Sequence, residues 1–453
     1  MAQSDLEATL QANGYAKVIV SLRKDVGGLA TANGHEAPGL AAATTSATES
    51  SLESHFILPN EAQVENLALA SGRNFALATA AKSRRVRVYP RLGLAIGYAD
   101  RTGIAALEND PRVEEIVHAA QPSLIRPVAA KTAKLAASTS WGLRRLNIEA
   151  LWDAGFTGQG VVVGHLDTGV DGTHPALKSA IAAFAEFDMT GERVPNAKPT
   201  DSDRHGTHTA GTIVGRAGGK GAFGVAPKAK LASAMVIEGG QVIDRILGGM
   251  EWIVEQDVRI MSMSLGLRGY TPAFEVLIAA LRSANVLPVI AVGNEFASTS
   301  RSPGNYDNVL SVGAMGEDEM VADFSSSQRF NRPNDPLVPD LVAPGVDVLS
   351  CVPGGGYEKM SGSSMATPHI AGLAALLLSA KPTASAQDLE KAILASCSLV
   401  PTMPAARANR GVPDGAKALA LLTGAPLAVA ATTLGPKKVK TAKKHTPWKK
   451  QAA

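Results

Sequence analysis

The 453-residue chain is predicted to be an α/β protein, a three-layer, doubly wound, mostly parallel sheet preceded by a small α+β unit. Three observations predict this. From Trp141 onward, short apolar runs alternate with helical stretches, as in a parallel sheet covered on both faces. Residues 364–379 are apolar almost all round, which suits a helix buried at the centre of such a fold. Before Trp141 the chain instead carries strand-rich segments around two short helical stretches.

In the N-terminal unit, residues 1–127, Tyr15 to Leu22 has the β-branched density of a strand. Residues 27–54 are rich in Gly, Ala, Thr and Ser and lack periodicity, so they are expected to form a flexible insertion. A helix is expected over 62–72, paired strands over 84–89 and 92–98, and a helix from Arg101 to Glu108. An acidic strand follows Asp110-Pro111. Residues 128–140 are small and polar without pattern, which suits an exposed linker and cleavage zone. In the large domain, 141–424, strands are expected over 161–166, 230–236, 258–264, 286–292 and 309–313. Helices are expected over 205–215, 243–256, 273–284, 364–379 and 385–396. Residues 425–453 turn Ala/Thr/Pro-rich and then Lys-rich, the composition of a disordered tail.

Hydrophobic residues at 45% and charged residues at 19% describe an ordinary globular protein. The formal charge of +3 hides an asymmetry, because Lys437 to Lys450 holds seven lysines and no acid. The body therefore sums to about −4 and gives no reason to expect a polyanionic partner, while the tail only weakly suggests contact with nucleic acid or an anionic surface. Two cysteines, Cys351 and Cys397, cannot build a disulfide framework and are expected as buried thiols. The N-terminus lacks a basic segment followed by an apolar one, and no apolar run reaches the ~20 residues of a membrane span. A cytoplasmic location is expected, with export by another route left open.

The chemistry gathers in three Gly-rich segments. Leu166-Asp167-Thr168-Gly169 ends the first large-domain strand, His205-Gly206-Thr207-His208 opens a helix, and Gly362-Ser363-Ser364-Met365-Ala366 opens the apolar one. A hydroxyl becomes a nucleophile at neutral pH when a base takes its proton and a third group orients the base. The spacings of 38 and 159 residues let Asp167, His205 and Ser364 meet only through folding. Order and wording closely resemble the subtilisin-like serine proteases, the S8 peptidases. The resemblance extends to Ser262-Met263-Ser264-Leu265-Gly266, Val289-Ile290-Ala291-Val292-Gly293-Asn294 and Asp340-Leu341-Val342-Ala343-Pro344-Gly345, over residues 141–420. The N-terminal unit is similar, more loosely, to the I9-type propeptide that templates folding and blocks the cleft in that family.

The resemblance implies a serine endopeptidase made as a self-processing zymogen, acting on polypeptides through an acyl-enzyme. Ser364 is implied as nucleophile, His205 as base, Asp167 as its orienting partner, and Asn294 with the Ser364 N–H as oxyanion donors. Ser264, Leu265 and Gly266, facing Gly239 and Gly240, would hold an extended peptide by its main chain. Ala291, Val292 and Gly293 would line the pocket for the residue before the scissile bond, and small apolar walls there suggest tolerance of large apolar side chains.

Rival readings fail on chemistry. Asp167-Thr168-Gly169 is also the aspartic-protease word, but no second copy supplies the paired carboxylate. His205 and His208 lack a zinc-binding motif around them. Gly219 to Gly224 matches a nucleotide-loop spacing but is followed by Val225-Ala226-Pro227, which opens no phosphate-binding helix. His208 and His369 are expected as packed core histidines, Ser361 and Ser363 as turn residues. No cofactor is expected. The family's usual tight calcium site looks lost, with Ala176 after His174-Pro175 and a basic loop from Arg216 to Lys220. Two further classes stay open: a silent peptide binder blocked by its own N-terminal domain, and a nucleic-acid-associated protein acting through its tail.

Overall fold

The computed structural model describes residues 2–23, 47–58, 85–135, 137–216, 221–237 and 242–424. The helix expected at 62–72, the nucleotide-like loop at 219–220, Gly239, Gly240 and the lysine tail lie outside the described residues.

The N-terminal unit is a four-stranded antiparallel sheet of β1 (Tyr15–Leu22), β2 (Val86–Tyr89), β3 (Leu94–Asp100) and β4 (Val113–His118), in the order β2-β3-β1-β4. Helices Ala2–Asn13 and Arg101–Glu108 accompany it, the second capped where Asp100 accepts the Gly103 N–H at 2.8 Å. Of the flexible insertion expected over 27–54, residues 27–46 lie outside the described residues, while 47–52 form a short helix that continues into the 3-10 turn Glu53–His55. The reason is Leu52, which is buried together with Phe56 among Leu6, Leu10, Val18 and Val20.

The chain then runs through two short strands, β5 (Ser123–Leu124) and β6 (Ala129–Ala133), before entering the large domain. There β7 (Val162–Asp167), β8 (Ile181–Glu186), β9 (Lys230–Met235), β10 (Ile260–Met263), β11 (Leu265–Arg268) and β12 (Leu287–Ala291) follow. The remaining strands are β13 (Arg301–Ser302), β14 (Leu310–Met315), the pair β15 (Gln328–Arg329) and β16 (Leu337–Val338), β17 (Leu341–Pro344), β18 (Val348–Val352) and β19 (Gly356–Ser361). Seven of them make one parallel sheet in the order β17-β14-β12-β10-β7-β9-β8. The expected strands and helices of this domain fall within a few residues of those observed; among the elements not anticipated are β8, β17, β18, β19, the short helices over 141–153 and the helix Gly415–Thr423.

Each face of the sheet carries its own core. On one side helix Ser363–Ala380 runs through a cluster with Ile213, Val225, Val289, Val312 and Leu389. On the other, helices Val242–Glu255 and Glu275–Ser283 cover Leu166, Met261 and Ile290. Ile19, Leu94, Ile96 and Val117 of the N-terminal sheet belong to that second cluster, so the unit docks on these two helices through continuous apolar contact. Polar contacts fix its placement. Lys17 pairs with Asp244 at 2.5 Å, and the Glu251 carboxylate accepts the N–H groups of Arg91 and Leu92, each at 3.0 Å. Gln121 Oε1 accepts the first amides of helix Val242–Glu255, from Val242 at 2.9 Å and Ile243 at 3.2 Å.

Helix His205–Val214 is set against the end of β7 by a close backbone approach. A Cβ added at Gly206 would stand 2.0 Å from the Gly169 carbonyl oxygen. Gly206→Ala is therefore expected to push the helix start off the β7 turn, lowering stability by about 1–3 kcal/mol and abolishing fluorophosphonate labelling. Labelling and a melting curve like the wild type's would show that this approach is dispensable.

Candidate active site

A carboxylate taken out of water needs hydrogen-bond donors around it. Asp167, 2% exposed at the end of β7, has them: its Oδ1 accepts the Thr168 N–H at 2.7 Å and faces His205 Nδ1 at 2.7 Å. Its Oδ2 accepts the Thr209 hydroxyl at 3.1 Å. Burial by itself pushes the Asp167 carboxyl pKa up; the charge and hydrogen bond of His205 more than offset this and bring it below the usual value. His205 responds in the opposite sense. Burial would lower its pKa, but Asp167, with Asp201 and Asp203 beyond, raises it above that of a free imidazole.

Asp201 is a constituent that the sequence reading missed. Its Oδ1 accepts the Thr168 hydroxyl at 2.7 Å and its Oδ2 accepts Thr207 N–H and O–H at 2.7 and 2.6 Å. It thereby ties the turn after Asp167 to the first turn of the His205 helix.

Ser364 is the second residue of helix Ser363–Ala380, where backbone N–H groups lack the usual partner one turn back and the helix dipole is positive. Its Oγ donates at 2.6 Å to the carbonyl of Ile125, and His205 Nε2 is buried without a hydrogen-bond partner among the described residues. The structure thus joins Asp167 to His205 but turns the serine proton toward the chain's own segment.

That segment fills the cleft as a strap. Strand β5 pairs antiparallel with β11, Ser123 opposite Gly266 and Leu124 opposite Leu265, and Ile125 N–H donates to Ser264 O at 3.1 Å. The Arg126 carbonyl accepts Asn294 Nδ2 at 3.0 Å, and Val128 N–H reaches Ser361 O at 2.8 Å. Strand β6 then pairs with β19 over Ala129–Ala133, where the sequence suggests an unstructured linker. Its side chains carry little strand propensity; the open edge of β19 supplies the reason for pairing. In this structure Ser264, Leu265 and Gly266 pair with residues 123–125 of the chain itself.

Asn294 is aimed by its neighbour. Ser363 donates both N–H (2.8 Å) and O–H (2.9 Å) to Asn294 Oδ1, which leaves Nδ2 to face the cleft. Ser363 is thus more than a turn residue. Ser361 accepts the Asp347 N–H through its hydroxyl at 2.9 Å.

Ala291 and Val292 are fully buried, and beside Gly293 lies an ion pair, Arg301 Nη2 and Nε at 2.5 and 2.9 Å from Glu295 Oε1. Arg301 Nη1 also donates to Gly266 O at 3.2 Å and Ser123 Oγ at 2.9 Å. A Cβ on Gly293 would meet Glu295 Oε2 at 2.7 Å and Arg301 Cγ at 3.2 Å. A charged pair therefore stands directly against the Gly293 backbone.

His208 and His369 are packed histidines: His208 Nε2 meets Val348 O at 3.0 Å, and His369 Nδ1 meets Met365 O at 2.8 Å. Burial pulls their pKa values down to about 3 and about 4. Cys351 is buried, Cys397 half-buried, and both are free thiols that burial pushes up to about 12. Arg216, whose backbone N–H donates to Ala176 O at 3.1 Å, also donates through its guanidinium to Pro227 O at 2.6 Å and Ser179 O at 3.3 Å.

Such a buried carboxylate–imidazole pair, with a helix-start serine and an asparagine amide at one cleft, defines a serine hydrolase on a doubly wound sheet. A family model described as the subtilase family, S8 peptidases, matches residues 158–422, and the chain belongs to that family. It is a serine endopeptidase. An "Intracellular serine protease" of Paenibacillus polymyxa is 37% identical over 270 residues, 58% of this chain and 80% of the relative. "Subtilisin BL" of Lederbergia lenta is 38% identical over 251 residues, 55% of this chain and 87% of the relative. Among the described residues one helix, Ser363–Ala380, is long and apolar enough to cross a membrane, and 89% of it is buried inside the fold.

The strap's bonding makes a direct expectation for hydrogen exchange in full-length Ser364→Ala protein. The Ile125 and Val128 amides should exchange at least about a hundredfold more slowly than free-peptide amides. Free-peptide rates at both positions would mean that the segment does not occupy the cleft.

Proposed function

We propose that this chain is a zymogen of a serine endopeptidase whose residues 1–127 act as an intramolecular propeptide, with Asp167, His205 and Ser364 as the triad. The observation that carries the reading is the strap, an extended peptide laid along the cleft with successive carbonyls on Ser364 and Asn294. A protein substrate would follow the same path by main-chain pairing, which is largely indifferent to side chains.

In the reaction, His205 Nε2 takes the Ser364 proton as Oγ attacks the peptide carbon. Charge moves to the carbonyl oxygen, where the Ser364 N–H and Asn294 Nδ2 donate; loss of one such donor costs on the order of 10² to 10³ in turnover in subtilisin itself. Asp167 stabilises the imidazolium, which then gives its proton to the departing amine. A water, deprotonated by the same imidazole, releases the acyl group. In the strapped state the serine proton points to Ile125 O, so a new rotamer of Ser364 or departure of the strap must bring Oγ onto His205. A cytoplasmic location is proposed on the likeness to the "Intracellular serine protease" of Paenibacillus polymyxa.

Ser364→Ala should abolish hydrolysis of an unfolded protein and labelling by a fluorophosphonate. Mass spectrometry should find the wild type cut within 120–141 and the variant whole. An intact wild type, inert to the probe, would favour the rival reading of a blocked peptide binder, for which the unpartnered His205 Nε2 speaks. Hydrolysis that persists in the variant would remove Ser364 from the mechanism.

Calcium independence is proposed on the Arg216 contacts. Activity and melting temperature should be the same, within about 2 °C, in EDTA as in calcium. A clear loss of both in EDTA would reveal a cation site elsewhere.

A further inference from the structure

Behind Asp167, on the side away from the cleft, lies a buried polar chain that the triad does not require. His165 precedes Asp167 by two residues on β7, so both side chains leave the same face of the sheet. Strand β9 is paired in register, His165 opposite Ser233, and the His205 helix covers this face with His205 and Thr209 one turn apart. His165 Nδ1 lies 2.9 Å from Ser233 Oγ, and its Nε2 lies 2.9 Å from Thr209 Oγ1. Thr209 in turn reaches Asp167 Oδ2 at 3.1 Å. His165, Thr209 and Ser233 are all at most 1% exposed, so a polar atom left unpaired among them would be costly.

Proton counting gives the chain a direction. Thr209 has one hydroxyl proton and three acceptors in reach: Asp167 Oδ2, His205 O at 3.2 Å and Gly206 O at 3.0 Å. The carboxylate, being charged, is the strongest of them. With that proton spent on Asp167, Thr209 Oγ1 can only accept from His165, which must then carry its proton on Nε2. His165 Nδ1 is left as an acceptor for the Ser233 hydroxyl. We propose that His165 is a positioning residue of the active site, which as the neutral Nε2–H tautomer turns the Thr209 hydroxyl onto Asp167 Oδ2 and so fixes the carboxylate plane that orients His205. The proposal rests on the reading of Asp167, His205 and Ser364 as the triad.

Two observations agree. Burial, the largest influence, takes the His165 pKa down to about 4 even though Asp167 pulls it up, so a proton added at neutral pH is not held. Direct pairing with Asp167 is also poor, His165 Nε2 standing 3.8 Å from Oδ2, so the influence must pass through Thr209. The titratable groups facing this chain are Asp167, His205 and, from the loop before the helix, Asp201 and Asp203, with His208 on the helix itself.

The tests separate positioning from mere packing. In full-length Ser364→Ala protein, imidazole ¹⁵N shifts, assigned by loss of the signal in His165→Gln, should report His165 as neutral Nε2–H from pH 5 to 8. An Nδ1–H tautomer, or titration in that range, overturns the proposal without any need of activity. In the Ser364-intact enzyme, His165→Val and the isosteric Thr209→Val should each lower kcat about tenfold with KM unchanged. The double variant should cost little more than the larger single one, because both cut the same chain. The acid limb of the kcat profile should move up by about half a unit, since Asp167 with one donor fewer is a more basic partner for His205. His165→Gln keeps a donor near Thr209 and should recover activity to within about threefold of wild type. Full kcat with an unmoved acid limb in Thr209→Val refutes the chain, as does a kcat loss in His165→Val that glutamine does not restore. If Ser364→Ala itself retains hydrolysis, it is the triad reading that fails and not the polar chain.

Discussion

Asp167 carries a negative charge where water does not reach, and most of the site's architecture answers that one constraint. A carboxylate at 2% exposure is tolerable only if every lone pair direction finds a donor. Strand β7 delivers it to the rim of the sheet, the next turn folds the Thr168 amide back onto it, and the helix from His205 brings an imidazole and a threonine hydroxyl. These donors come from two segments far apart in the chain, the turn after β7 and the helix from His205, so the carboxylate enforces their mutual placement as much as they stabilise it. The close seat of Gly206 on Gly169 and the bridging role of Asp201 serve the same end, bringing helix and turn near enough for the bond.

The strap uses what a cleft of this kind offers to any extended chain. Its contacts to β11, Asn294 and β19 are made almost wholly by backbone, and its covalent link to both domains keeps it at high local concentration. The N-terminal sheet adds an apolar face and the Lys17, Glu251 and Gln121 contacts, which hold the strap's upstream end in register. The contact is therefore distributed between strap and sheet. On the proposed zymogen reading, scission within the strap would leave the apolar docking surface intact, so release of the N-terminal unit would be a separate event.

Sequence pattern reached the parts of this fold that local rules govern. Strands such as Leu287–Ala291 are buried on both faces and so appear as short apolar runs, and helix Ser363–Ala380 betrays its central position by apolarity all round. What escaped was decided by partners distant in the chain. Ile181–Glu186 is Ala-rich and half-exposed, and it is a strand because β9 offers an edge. Residues 129–133 pair for the same reason with β19. At the site, Asp167, His205, Ser364 and Asn294 were legible because they sit in short segments with distinctive wording. Ser363, Asp201 and Arg301 were not, since each acts through a contact with a group 33 to 69 residues away or with the strap.

The histidines show why geometry had to supplement motif. His165, His205, His208 and His369 are all at most 1% exposed, and burial presses the pKa of each downward. Three of them yield, to about 4, about 3 and about 4, and are neutral structural groups at any physiological pH. Only His205 moves the other way, because it alone shares a 2.7 Å hydrogen bond with a buried carboxylate. The same carboxylate touches His165 only through a hydroxyl, and that one intervening oxygen separates a base able to accept a proton from an imidazole that stays neutral. Distance to Asp167, and not the surrounding sequence, sorts the four into one that can exchange protons and three that hold structure.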